Sequence, residues 1–314
     1  MPYLEDKEIV VTGSSGFLGS NVVEFINLTG LDKKNKIRTP RSRDFNLKDL
    51  NMAVKALKGA DVVINLAANV GGIGFNRDFP GSLFYDNITM GVNVMEAARI
   101  NDVEKVVQIG TICSYPKVPP HIPFRESDLW EGYPEETNAP YGIAKKALII
   151  MGEAYEKQYG LNSITMLMVN LYGPKDNFDP RSSHVIPALI KKFTDAKKNN
   201  TGEVRLWGTG NASREFLYVK DAARGILQAT EKYNGSFPVN LGAGKEITIR
   251  ELADAISSII HYTGKIEWDP SMPDGQPRRV LDTSLAQREF GFKAGTDFRD
   301  GLVETIDWYN NNYR

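Results

Sequence analysis

The chain predicts an α/β protein, a doubly wound parallel sheet with a smaller mixed α/β unit that supplies a second binding surface. Three observations carry that expectation. Short β-branched runs at Glu8–Thr12 (EIVVT), Asp61–Leu66 (DVVINL) and Lys105–Ile109 (KVVQI) read as buried strands with helical stretches between them. The first run enters a glycine-rich turn and then a helix to about Asn27. Beyond residue 170 the strict strand–helix alternation breaks and a second region begins. The expected division is 1–170 plus about 215–245 for the larger unit, and about 171–214 plus 246–314 for the smaller.

Composition bounds the function. With 314 residues, 41% hydrophobic, the chain can bury one large core or two smaller ones. A net charge of -1 gives no reason to expect nucleic acid or an anionic membrane as partner. An anionic ligand must then be held by a local site. The single cysteine, Cys113, excludes an internal disulfide and fits a reducing compartment. The opening MPYLEDKEIV carries acids and no long apolar run, which argues against a leader. The longest apolar stretches, such as Ala147–Met151, are too short for a bilayer, so a cytoplasmic protein is expected.

Taken in order, the first strand runs into Gly13-Ser14-Ser15-Gly16-Phe17-Leu18-Gly19. Strand, G-x-x-G-x-x-G and helix together form a phosphate cradle. Gly13 permits the turn, Gly16 admits a pyrophosphate, and Gly19 lets helix pack on strand. The helix N-terminus adds N–H donors and a positive dipole end. A second strand is expected near Lys36–Thr39. Where a ribose-binding acid often ends that strand, the chain reads Arg38-Thr39-Pro40-Arg41-Ser42-Arg43. The guanidiniums of Arg38, Arg41 and Arg43 suit a 2′-phosphate, which points to NADP(H). The third strand ends in Leu66-Ala67-Ala68, small enough to let a flat cofactor lie on the backbone.

A helix is expected over Ser82–Ile100. The fourth strand leads to Thr111 and Cys113, which point the same way if the extended conformation persists. Pro116–Pro140 reads as a long loop of the kind that forms lids. Pro140 then suits the first turn of a helix running to about Tyr159. Tyr141 and Lys145 stack on one face of it, and a nearby ammonium lowers a phenol's pKa. The segment Ala147–Met151 is apolar all round, so this helix is expected to bury a second face, with Ser82–Ile100, in a homodimer.

Further strands are expected at Ser163–Met168, Val204–Trp207, Val239–Leu241 and Lys265–Trp268. Helices are expected over about Val219–Tyr233, Thr248–Tyr262 and Asp297–Asn310.

Glycine loop, Thr111 and the Tyr141/Lys145 pair, in that order, resemble the extended short-chain dehydrogenase/reductases. That resemblance implies a Rossmann domain, a Ser/Thr-Tyr-Lys catalytic set and a nucleotide-sugar domain. Several runs resemble the branch that epimerises and reduces GDP-4-keto-6-deoxymannose with NADPH. They include Asn69–Ile73, Gly110–Cys113, Asn170–Pro174, Ser183–Leu189, Leu206–Gly210, Arg214–Leu217 and Pro273–Gly275.

The resemblance implies that Tyr141 donates a proton to O4, that Lys145 lowers its pKa and holds the nicotinamide ribose, and that Thr111 hydrogen-bonds O4. Cys113 and His184 are implied as base and acid for epimerisation. Gly13, Ser15, Gly16, Phe17, Leu18, Gly19, Leu66, Ala67, Ala68, Asn170, Leu171 and His184 are implied around the cofactor. Lys192, Trp207, Arg214 and Asp274 are implied around the GDP-linked sugar. No metal is expected. The acidic pair that dehydratases carry after the Thr is replaced by Ile112-Cys113. A reductase or epimerase on another nucleotide sugar, a GDP-heptose derivative included, stays open. A non-catalytic nucleotide-binding protein is disfavoured because Thr111, Tyr141 and Lys145 are all present.

Overall fold

A computed structural model describes residues 3–272 and 274–313; Met1, Pro2, Pro273 and Arg314 lie outside the described residues. The β-branched runs form a six-stranded parallel sheet of β1 (Glu8–Thr12), β2 (Lys36–Arg38), β3 (Val62–Asn65), β4 (Lys105–Thr111), β5 (Asn162–Met168) and β9 (Val239–Leu241). The strand order is β2-β1-β3-β4-β5-β9. Chain direction across the sheet reverses between β1 and β3, and a ligand crevice opens there beyond the strands' carboxyl ends. β1, β3 and β4 are almost wholly buried, as parallel strands covered on both faces must be.

On one face lie α2 (Leu50–Leu57), α4 (Pro80–Ile100) and α5 (Ala139–Tyr159), sealed by Val10, Val63, Met95 and Val106. On the other lie α1 (Phe17–Leu28), α7 (Val219–Lys232) and α9 (Ser284–Phe290). A second core, around Phe193, Leu252, Ile256, Leu302 and Ile306, joins α6 (Val185–Lys198), α8 (Ile249–Ile260) and α10 (Phe298–Asn312). It carries two small sheets. β8 (Ser213–Tyr218) lies between β6 (Asn170–Tyr172) and β10 (Glu246–Thr248), while β7 (Glu203–Trp207) pairs in parallel with β11 (Lys265–Asp269).

The expected division assigned 246–314 to the smaller unit. Leu281, Ala286, Phe290 and Phe292 instead pack on the larger core. We therefore propose that the segment around 280–292 goes with the dinucleotide-binding unit. A short helix, α3 (Ile73–Asp78), precedes α4, and a 3-10 turn over Glu126–Trp130 interrupts the proline-rich loop. No helix among the described residues is long and apolar enough to cross a membrane.

Candidate active site

The cradle is built by contact as much as by conformation. Gly13 has φ +64°, and a Cβ there would stand 2.6 Å from the carbonyl carbon of Leu66. A Cβ on Gly19 would stand 2.1 Å from the Gly13 carbonyl oxygen. Gly16 caps α1 with no side chain bonded to the helix N-terminus. Ser14 is buried, and its Oγ has no partner among the described residues. Unclaimed N–H groups, a positive dipole end and an orphan hydroxyl fit a pyrophosphate. Ser15 is exposed at the turn, and Phe17 and Leu18 are half-buried.

Beneath the cradle, Thr12 Oγ1 donates to Asn65 Oδ1 (2.7 Å), and Asn65 Nδ2 donates to Gln108 Oε1 (2.9 Å). This side-chain relay ties β1, β3 and β4 together at the crevice. Leu66, Ala67 and Ala68 leave β3 beside Gly13. Asn87, buried in α4, clamps the backbone that follows. It accepts from the Asn69 N–H (3.1 Å) and donates to the Asn69 carbonyl (2.8 Å).

The basic loop divides. The Arg38 guanidinium meets Glu8 at 2.5 Å and donates to the carbonyls of Ala56 (2.9 Å) and Lys58 (2.7 Å). It fastens the end of α2 to β1, so its expected place on a 2′-phosphate is corrected. Arg41 and Arg43 stay exposed, and Arg43 leans on Asp44 at 3.4 Å.

Thr111 ends β4, and its Oγ1 accepts the Cys113 N–H at 3.2 Å. That contact starts a 3-10 turn over Ile112–Ser114, so the extended conformation on which Thr111 and Cys113 were expected to point the same way does not persist. With an acceptor position filled by backbone, the Thr111 O–H remains a donor.

The turn abuts α5. Ser114 Oγ donates to the Gly142 carbonyl (2.8 Å), and a Cβ on Gly142 would lie 2.2 Å from the Cys113 carbonyl oxygen. Tyr141, the residue before, is thereby set against the Thr111–Cys113 corner. Burial, and secondarily Cys113, pushes the Tyr141 phenol well above its ordinary value. Burial alone lowers Lys145 from 10.5 to about 8. In the protein by itself, desolvation sets the Tyr141 phenol, and the expected lowering by Lys145 is not among its causes.

Cys113 Sγ lies 3.7 Å from Asn138 Oδ1 and accepts from Arg279 Nη2 at 3.3 Å. Neither partner stood out in the sequence, because Asn138 precedes the helix and Arg279 lies far down the chain. His184 caps α6 without a side-chain bond, and burial depresses its pKa below 6.5. A helix N-terminus also disfavours imidazolium, so His184 is neutral at neutral pH.

Asn170 donates to the Glu215 carbonyl (3.2 Å), and Leu171 is half-buried against the main core. Arg214 donates to the carbonyls of Ser213 (2.7 Å) and Gln276 (2.6 Å). Burial, and then Arg279, lowers its pKa to about 10. Two nearby guanidiniums repel, which favours an anion between them. Lys192 donates to the Arg205 carbonyl, and Trp207 is 61% exposed, so the indole is not core. Asp274 accepts from the Thr209 N–H and hydroxyl, both at 2.7 Å. Its carboxylate braces that turn, leaving only its remaining lone pairs for a ligand. No cluster of metal-ligating side chains occurs among the described residues.

A cradle at the sheet crevice with a Thr, Tyr and Lys on the neighbouring strand end and helix defines a nicotinamide-dependent enzyme. The NAD dependent epimerase/dehydratase family matches residues 9–242, and the chain belongs to it. The chain is 38% identical over 308 residues to GDP-L-fucose synthase 1 of Arabidopsis thaliana, covering 97% of this chain and 94% of that protein. A GDP-L-fucose synthetase from Naegleria fowleri bound to NADP superposes with TM-score 0.89 at 29% identity, covering 98% and 95%. A GDP-6-OMe-4-keto-L-xylo-heptose reductase from C. jejuni does so with TM-score 0.89 at 27% identity, covering 98% of each.

Proposed function

We propose that this enzyme converts GDP-4-keto-6-deoxy-D-mannose to GDP-L-fucose by epimerising C3 and C5 and reducing C4 with NADPH. The observation that carries it is the packing of the Thr111-capped Cys113 turn against the helix at Gly142, the residue after Tyr141.

The cradle of Gly13, Gly16 and Gly19 holds the pyrophosphate. Arg41 and Arg43 are the residues left to meet a 2′-phosphate. When bound, the reduced nicotinamide supplies the hydride. Thr111 donates to O4 and holds the ketone. Cys113 takes the proton from carbon beside that ketone, and the carbon–hydrogen electron pair passes into the enolate, whose O4 charge Thr111 and Tyr141 hold. His184 returns a proton on the other face. It is neutral in the protein alone, and the negative diphosphate favours its charging when substrate enters. Tyr141 protonates O4 as hydride arrives at C4. Lys145 holds the ribose and replenishes the phenol's proton. Arg214 and Lys192 hold the diphosphate, and the Trp207 face packs on the nucleoside.

The exposed apolar residues Phe84, Tyr85 and Val92 of α4 and Ile150 of α5 form the surface proposed for a homodimer. The second reading is a 4-reductase on another GDP-sugar, such as the heptose derivatives. Cys113, held by two polar partners, favours the epimerase because simple reduction needs no thiol there. Solvent deuterium exchange decides. Cys113→Ser should stop exchange into C3 and C5 of the 4-keto sugar, and unchanged exchange would leave the reductase reading or reassign the base.

A further inference from the structure

We propose that Arg279 is a positioning residue for Cys113, holding the sulfur's lone pair while Asn138 receives the S–H. This rests on the reading of Cys113 as the epimerisation base.

Arg279 belongs to a segment strapped along β8. Ser213 donates its N–H to the Pro277 carbonyl (2.8 Å), and Glu215 donates its N–H to the Arg279 carbonyl (3.0 Å). The buried Glu215 carboxyl accepts from the N–H groups of Leu281 (2.7 Å) and Gly244 (2.6 Å), fixing the strap from its far side. The guanidinium is therefore delivered by backbone anchors and not by a flexible loop.

Arg279 is only 8% exposed, its Nε has no partner, and no carboxylate pairs with it among the described residues. Arg214, a like charge, is near it. A buried unpaired cation is costly and persists where a reacting group needs it. The contact it makes is the 3.3 Å bond to Cys113 Sγ.

The opposite side of the sulfur is equally determined. Asn138 Nδ2 donates to Glu135 Oε2 (2.6 Å), which fixes the amide's orientation. Its Oδ1 then accepts from Asn76 Nδ2 (3.3 Å) and faces Sγ (3.7 Å). The thiol has an acceptor on one side and a cationic donor on the other. When the sulfur carries negative charge, Arg279 keeps its bond and Asn138 loses its donor. The freed lone pair thus lies on the Asn138 side, ready to take a ring proton. Arg279 transfers no proton itself.

The single cysteine makes the test clean, because alkylation reports Cys113 alone. The full-length protein is compared with Arg279→Gln and Arg279→Lys. Iodoacetamide alkylation at neutral pH should slow ~10-fold in Arg279→Gln, as expected for loss of a charge-assisted bond. Deuterium exchange at C3 and C5 should fall ~10–100-fold from the misplaced base. NADPH affinity should match wild type, and Arg279→Lys should recover most of both rates. Wild-type alkylation and exchange in Arg279→Gln would overturn the proposal, as would slowed alkylation with unchanged exchange. If Cys113→Ser also exchanges normally, the base assignment has failed; if only Arg279→Gln does, the positioning role has failed.

Discussion

Lys145 offers the most direct test of the site's physics, through replacement by Met. Lys145 is 4% exposed, and burial alone moves its pKa from 10.5 to about 8. At ~1.4 kcal/mol per pH unit, that is on the order of 3 kcal/mol of folding free energy lost at pH 7. The sign follows from linkage. A folded-state pKa below the unfolded one gives stability above the unfolded value and loses it as pH falls through the folded value. Below about 8 the lysine must be charged inside the protein, and the penalty is complete. By pH 9.5 it falls to roughly 1 kcal/mol, and it vanishes beyond 10.5. Met keeps the length and carries no charge.

Lys145→Met should therefore melt about 5 °C above wild type at pH 7, with the gap narrowing toward pH 9.5. Turnover should fall by ~10²-fold or more. Thermal unfolding of protein without added cofactor, at both pH values, is the assay. A Met variant melting at or below wild type at pH 7, or a gap that fails to narrow, would refute the reasoning.

Other perturbations address the remaining parts. Gly19→Ala places a methyl 2.1 Å from the Gly13 oxygen, so helix and turn must separate. A fluorescence titration should show NADPH binding weakened ~10²-fold. Tyr141→Phe should reduce turnover by ~10²–10⁴-fold with cofactor affinity unchanged in the same titration. Arg41→Ala with Arg43→Ala should lower NADPH affinity ~10–100-fold and leave NADH binding as it was. Arg38→Ala should lower Tm without changing cofactor choice, since its guanidinium holds β1 and α2 together.

Local chemistry made much of this legible in advance. The cradle is contiguous, its strand and helix flank it, and each glycine answers to a close backbone approach. Tyr141 and Lys145 share a helix turn, and their spacing stood out once the glycine loop and Thr111 preceded it. Arg38 misled because its neighbours in sequence are basic, while its partners in space, Glu8 and the end of α2, come from other elements. Arg279 was invisible for the same reason. The turn at Thr111 could not be foreseen from strand periodicity, because a hydroxyl captures the Cys113 N–H that would have continued the extended chain. Pairing of β7 with β11 and of β8 with β6 and β10 also lay beyond reading, since each joins segments far apart in the chain.

The absence of a side chain at Gly142 has a broader consequence. Because the Cys113 carbonyl rests where a Cβ would be, the Cys113 turn and the helix that carries Tyr141 meet backbone to backbone, with the Ser114 hydroxyl bonded across the same junction. With the roles proposed for Cys113 and Tyr141, two chemistries that many pathways divide between separate catalysts share one rigid mounting. A reactive enol need not be released and recaptured between steps. It need only stay still while successive side chains act on it, and loosening that mounting would appear first as escaped intermediate, before any loss of binding.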